Sequence, residues 1–576
     1  AMALRFIHAS PFGLSDPVFS FDVGFYVFSM PFYRFLLSWT TSLIVVTFAG
    51  NALIYIFAGR VRDSGAVGHL SVLGSLFLVS RAVGYQLQRW ELLQASTGLM
   101  HGAGYTDVHA RMPLLSILTV VVALGTLGLL VNIWIRRWRL LLGMAGAWVA
   151  IGLVGQVYPT AVQRFTVEPN ELALERPFIE HNIRFTRYAY GLDAVQEFDY
   201  PTSGTLTLQD LQDNQDTLSN VRLWDWKPLR ATYEQIQEIR TYYTFADIDI
   251  DRYMVDDRLQ QVNLAVRELD IEQMREDART WINQHLIYTH GYGLCLSPVS
   301  EVSEEGLPRL LVRNIPPGRV RPAFERTRPE IYFGEKTTAY AIVNTTEDEF
   351  DYPSGDLNVY TRYQGAAGVP MGGPLRRAAF ALRFNSPPIF LSNAIGADSR
   401  ILFHRTLVDR VERLAPMLWF DPDPYPVISD GRILWLYDAY TWSDRFPYSR
   451  STDGLNYIRN SVKATVDAYT GETTFYVVDP DDPLIQTYQA IFPDLFTSVE
   501  DMHPALRAHW RYPEQLFLIQ ADLWGTYHME DARVFYNQED LWQTPMEIRE
   551  SNTVEMEPYY VTIRLPDSDQ VEFLMI

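Results

Sequence analysis

The stretch Pro113–Pro159 constrains this chain more than any other. It reads PLLSILTVVVALGTLGLLVNIWI, then RRWR, then LLLGMAGAWVAIGLVGQVYP: two apolar runs hinged on three arginines. About 20 apolar residues of helix cross the hydrocarbon core of a bilayer. Pro113–Ile135 meets that length without one charged side chain, and Leu140–Tyr158 is only slightly shorter. Two such runs end to end predict a pair of transmembrane helices rather than buried soluble ones. Arg136, Arg137 and Arg139 form a tight basic turn, which the positive-inside bias assigns to the cytoplasmic face. The second helix then returns outward, so residues 160–576 are expected outside.

Two further apolar runs precede the pair, at 35–58 and 67–87, giving four predicted transmembrane helices within 35–159. The arginine-biased loops 59–66 and 136–139 are separated by an even number of crossings and agree on one inside face. The 88–112 loop then shares the outer face with 160–576. This topology starts the chain outside, which predicts one or more helices upstream of this sequence, and the final VEFLMI stops inside a strand-like run. The opening has no basic n-region or small-residue cleavage site, so it does not read as a signal peptide. Its aromatic residues, among them Phe12, Phe21, Tyr26, Phe28 and Tyr33, predict an interfacial segment over 1–34. The alternative is a buried strand and turn. Arg81 interrupts the second helix; intramembrane charge is costly and marks a functional position by default, but its nearness to the helix end favours snorkelling.

Charge divides at the same place as hydropathy. Residues 1–163 hold ten Arg and no Lys against five Asp and Glu, whereas 164–576 hold 38 Lys and Arg against 64 Asp and Glu. A large acidic outer part should repel nucleic acid, whose binding needs cationic contacts to phosphate. A single cysteine, Cys295, leaves that part no internal disulfide. With about 400 residues it needs none to build a core.

The outer part reads as α+β. Glu168–Tyr190 reads as helix leaving the membrane, and 256–291 as one or two helices carrying Val262, Leu264, Val266 and Leu269. From about 308 the texture turns to β, and Thr470-Gly471-Glu472 marks a hairpin turn. Helical texture returns between 484 and 512. The expected division is a mainly helical lobe over 160–305 and a β-rich α+β lobe over 306–576.

Motifs with diagnostic mechanics are missing: no phosphate-binding Gly loop, GxGxxG, HExxH, GxSxG or paired CxxC occurs. Three constellations remain. His285, His290 and Cys295 surround a Gly-bracketed turn; a nucleophilic thiol needs such a nearby base, whereas a lone cysteine is most often a buried small apolar side chain. Asp421, Asp423 and Asp430 lie on a Pro-stiffened loop whose oxygens would suit calcium, although Asp-Pro pairs are ordinary turn formers. His101, Asp107, His109 and Arg111 cluster at the mouth of the membrane helices, where they would bind an ion or headgroup or simply tie the loop to the outer domain.

The segments DPVFSFDVGFYVFSMPFYRF, GAGYTDVHARMP, VNLAVRELD, TWINQHLIYTHGYG, RPEIYFGE, DPDPYPVISDGRILWLYDAYT and VDAYTGETTFYVVDPDDP resemble a family of large bacterial multipass membrane proteins that carries no assigned activity. The resemblance covers nearly the whole chain. It implies more helices upstream, further sequence downstream, a plasma-membrane location and no catalytic residues to carry over. Cys295 lies outside the family pattern.

The favoured function is a non-catalytic cell-envelope binding or scaffolding protein acting through its acidic outer domain. The alternatives are a component of a transport or lipid-handling complex and an outward-facing enzyme using the Cys/His or Asp-rich groups. Expected partners are the lipid bilayer and other membrane helices, supplied by a missing segment, a second copy or another subunit. The six glycines of 125–155 allow the close helix approach this needs.

Overall fold

In the computed structural model, the described residues are 2–97, 100–135, 157–198, 205–237, 239–317, 324–325, 327–355, 357–549, 551–565 and 570–576, with isolated positions between 137 and 155 and at 321 and 568. Three helices among them are long and apolar enough to cross a bilayer. They are α1 (Met30–Phe57), α2 (Ser64–Glu91) and α3 (Met112–Ile135). The fourth predicted helix, 140–158, falls largely outside the described residues. Many apolar side chains on the three helices are exposed, among them Val46, Phe57 and Leu124, as lipid-facing surface requires. Inside the bundle, fully buried Asn132 donates to the Ser71 hydroxyl at 3.0 Å. Such a bond clasps α2 to α3 where no water competes.

The outer part is a mixed α/β structure. α4 (Glu171–Tyr190) follows the membrane region. Next come strands β1 (Asp249–Val255), β2 (Arg258–Leu269) and β3 (Leu294–Pro298), with β2 in the middle and all pairings antiparallel. A larger sheet contains β4 (Tyr425–Ser429), β5 (Arg432–Ser443), β6 (Tyr457–Asp467) and β7 (Thr473–Val477), again antiparallel. The expected turn at Thr470-Gly471-Glu472 joins β6 to β7. Helix α5 (Glu514–Tyr527) and the hairpin of β8 (Tyr560–Arg564) with β9 (Val571–Met575) complete the frame. β5 is buried on both faces: Trp435, Tyr437 and Ala439 enter the main core, while Leu434 and Leu436 pack with Tyr425, Met502 and Leu506. That is why its sequence reads as a continuous apolar run.

Two expectations are corrected here. The reading of 256–291 as helix fails, because Val262, Leu264 and Val266 recur every second residue and line one face of β2. Asp256 and Asp257, both at positive φ, form the two-residue turn that folds β1 onto β2. Helical geometry in that range is confined to short turns and Asn283–Ile287. The aromatic opening is also not a purely interfacial segment. Phe12 packs edge-on against Phe446 and Tyr457 of the outer part, and Tyr26 and Phe28 are buried with them, whereas Phe21 and Tyr33 stay exposed.

One core therefore crosses every expected boundary. It unites Phe12 and Tyr26, Leu93 and Met112 of the membrane region, Val262 and Leu296 before residue 305, and Trp435 and Tyr457 after it. The 88–112 loop is fastened to the same body. Tyr448 donates its N–H to the Leu93 carbonyl (2.8 Å) and its hydroxyl to the Ala103 carbonyl (3.1 Å). Asn182 of α4 donates to the carbonyls of Tyr448 (2.8 Å) and His101 (3.2 Å) and accepts from the Tyr527 hydroxyl (3.0 Å). The loop and the outer domain thus lie on one side of the membrane, as the arginine bias requires.

Gly102 makes that seam close. Its φ is +106°, and a Cβ there would lie 2.3 Å from the Tyr448 ring. Gly102→Ala is expected to destabilise the protein by about 3 kcal/mol through backbone strain and overpacking, read as a lower melting temperature of the detergent-solubilised chain.

Candidate functional site

The run Ala246-Asp-Ile-Asp-Ile-Asp251 leads into β1 and repeats a carboxylate at every second residue. In an extended chain that spacing gathers acidic side chains on one face. Asp247 and Asp249 face the turn Asp421-Pro-Asp423 and the segment Arg511–Gln515 that enters α5, and together they line a cavity of about 550 Å³.

Arg511 is the buried cation of this cavity. It donates to Asp249 Oδ1 at 3.1 Å and to Asp423 Oδ2 at 2.5 Å. Its guanidinium lies 3.9 Å from the ring centroid of Tyr425 and 5.0 Å from that of Tyr560, where ring faces add cation–π attraction. One guanidinium does not balance the acids around it. Burial, then the charge of Asp423, pushes the Asp247 carboxyl up to about 7. The same two causes push Glu514 up to about 7. Burial lifts Asp421 to about 6 even though the Tyr440 hydroxyl donates to it. Asp249 is raised by burial and by Asp247, and Glu335 by burial and by Asp247.

Glu268, at the end of β2, borders this group and is held by backbone. It accepts from the N–H groups of Glu335 (2.7 Å) and Lys336 (2.8 Å) and from the Thr337 hydroxyl (3.0 Å). A Cβ at position 334 would meet its carboxylate at 2.4 Å, so only glycine fits there. The motifs VNLAVRELD, RPEIYFGE and DPDPYP, far apart in sequence, thereby converge on one acidic neighbourhood.

With this geometry in hand, comparison with known proteins is direct. The model of an uncharacterised protein family, UPF0182, matches residues 1–576. The chain belongs to UPF0182. It is 45% identical to a UPF0182 protein of Pelotomaculum thermopropionicum, across 99% of this chain and 64% of that protein. It is 43% identical to a relative from Desulforamulus reducens, across 100% of this chain and 63% of the relative, and 44% identical to one from Cupriavidus necator, across 100% and 65%. The chain thus spans about two thirds of the length of these relatives. No solved structure matches it. Like the family, it is a multipass membrane protein with a large extracytoplasmic domain, in keeping with the plasma membrane.

The residues singled out in the sequence divide sharply. Asp421 and Asp423 line the cavity, but Asp430 does not join them. The strand β4 separates it from Asp423, and it is exposed, 3.8 Å from His503. Among the described residues no group of three or more His, Cys, Asp or Glu is arranged to hold a metal ion. Cys295, His285 and His290 are likewise not brought together. Cys295 is buried beside Tyr233 and Phe245 and accepts from Arg267 Nη2 at 3.1 Å. His285 stacks on Tyr340 at 3.9 Å, and His290 lies against Tyr332. Burial lowers both histidines, His290 to about 4. At the membrane mouth, Asp107 pairs with Arg111 at 2.6 Å, His109 stacks on Tyr105, and the His101 carbonyl ties to Asn182. Arg81 lies over the Tyr85 ring at 5.3 Å. Sequence reading missed Asp247, Asp249, Glu514 and Arg511. Alternating Asp in 247–251 was the available signal; Arg511 had none.

Two outcomes follow from this electrostatic balance. Arg511→Met leaves buried carboxylates without their cation and is expected to cost about 3–5 kcal/mol, seen as a large drop in melting temperature. Asp247 holds its proton far more tightly when folded than its ordinary value of 3.8. Its contribution is therefore fully present below pH about 4 and lost as pH rises through about 7. Asp247→Asn should melt higher than the parent at pH 8, by on the order of 2 kcal/mol, with the gap closing as pH falls to about 4.

Proposed function

We propose that the outer domain is a non-catalytic envelope-binding module that takes a cationic ligand into the cavity around Asp247, Asp249, Asp423 and Glu514. One observation carries this reading. Nine acidic residues and three arginines line the cavity; of the acids, Asp247, Asp249, Asp421, Asp423 and Glu514 are buried or half-buried, where unpaired negative charge is costly. A bound amine or other organic cation relieves that cost. Cys295 is buried against Arg267, Tyr233 and Phe245, which supports binding rather than the cysteine chemistry considered above.

The test is calorimetric titration of the detergent-solubilised full chain with spermidine. Asp247 and Glu514 lose their protons near neutrality, so affinity should rise at least threefold from pH 6 to pH 8. Asp247→Asn should remove most of that rise. Equal affinity at both pH values, unaltered by the substitution, would sink the proposal.

A second reading, lipid handling, is favoured by a separate cavity at the membrane mouth.

A further inference from the structure

This cavity, of about 280 Å³, opens where the membrane helices meet the outer domain, apart from the acidic site. Its wall comes from Gly104–Arg111, immediately before α3, and from Pro159, Thr160 and Gln163, immediately after the fourth apolar run. Glu171 and Glu175 of α4 complete it. Gly104–Arg111 leads directly into the outward end of α3, which puts the cavity at headgroup level. A Cβ at Gly155 would lie only 3.3 Å from Leu114, which shows how closely the fourth apolar run approaches α3. Tyr158 and Phe165, close in sequence to the lining residues Pro159 and Gln163, are exposed, as aromatic side chains are at a membrane interface.

The cavity is built for two opposite charges. Arg111 is 44% exposed, and Asp107 holds its Nη1 at 2.6 Å. Asp107 is buried and also accepts from the Gly104 N–H at 3.1 Å, so its role is to aim the guanidinium. Glu175 is buried and accepts from the Tyr105 N–H at 2.9 Å. Its carboxylate lies so close to Gly104 that a Cβ there would stand 3.0 Å from Oε2. Burial pushes this carboxyl upward; a cation alongside would offset that cost. Glu171 is half-buried and takes a hydroxyl from Tyr536 at 2.6 Å.

One guanidinium aimed by Asp107 and two further carboxylates in a headgroup-level cavity match a ligand with a phosphate and an ammonium. We propose that the cavity holds the phosphoethanolamine headgroup of a membrane phospholipid, Arg111 binding the phosphate and Glu175, with Glu171, the ammonium. The volume falls just below the range of about 300–1,000 Å³ typical of small-molecule pockets, enough for a headgroup while the acyl chains stay in the bilayer beside α3. A phosphatidylglycerol headgroup brings no cation and leaves Glu175 uncompensated.

The full chain is reconstituted into vesicles of equal phosphatidylethanolamine and phosphatidylglycerol, extracted in mild detergent, and its retained lipid measured by native mass spectrometry. Phosphatidylethanolamine should be retained at least tenfold over phosphatidylglycerol. Glu175→Gln should cut that preference to below threefold, and Arg111→Gln should lose both lipids. Glu171→Gln, at a less buried position, should lower the preference with the melting temperature unchanged, and decides the matter if Glu175→Gln does not fold. Equal retention of the two lipids by the parent, or an unchanged preference in the folded glutamate variants, overturns the proposal. So does free phosphoethanolamine binding as tightly as dihexanoyl phosphatidylethanolamine, because the ligand would then be a soluble molecule.

Discussion

The outer domain depends on a single buried guanidinium. Arg511 reaches a strand residue, Asp249, and a turn residue, Asp423, that are 174 positions apart in the chain, and it lies between the rings of Tyr425 and Tyr560. Without it, β1 and the turn before β4 would bring like charges together with nothing between them, and the C-terminal hairpin would lose the cation over Tyr560. One buried cation among several acids holds these elements in register but leaves negative charge over. The price appears in the upward shifts of Asp247, Glu514 and Asp421. A fold that tolerates such a deficit keeps a site that is poorly optimised for stability, as binding sites commonly are.

The second dependence is apolar. Membrane helices and an outer domain usually part at a linker, but here Phe12, Leu93, Met112 and Tyr448 belong to one cluster. Asn182 adds the polar counterpart, its amide and carbonyl tying the 88–112 loop to Tyr448 and α5. Each of those groups is buried, so losing one partner strands another.

What could be read from the sequence follows from the range of the interactions involved. Length and hydropathy place α1, α2 and α3, because a span depends on its own composition. The β6–β7 turn is likewise local, and Asp421 and Asp423 were visible as a cluster. The run with Val262, Leu264 and Val266 reads as helix within 256–291, yet its period of two, and the Asp256-Asp257 turn before it, argue for the second strand of a hairpin. Phe12 and Tyr26 look interfacial until Phe446 and Tyr457, more than 400 residues away, arrive to cover them. Arg511 is the extreme case. Nothing around it in sequence distinguishes it from the other arginines, and its role exists only once four distant segments meet.

The passage from membrane to outer domain also has a mechanical meaning. Residues 157–162 are helical, Gln163–Val167 and Glu168–Asn170 continue as helical turns of different pitch, and α4 begins at Glu171. The stretch from residue 157 to Asn170 is therefore helical with a change of winding partway along, and Asn170, at φ −135° and ψ 33°, sets a joint before α4. α4, whose Asn182 grips the body above, keeps its place through that joint whatever the direction in which the helix before it runs.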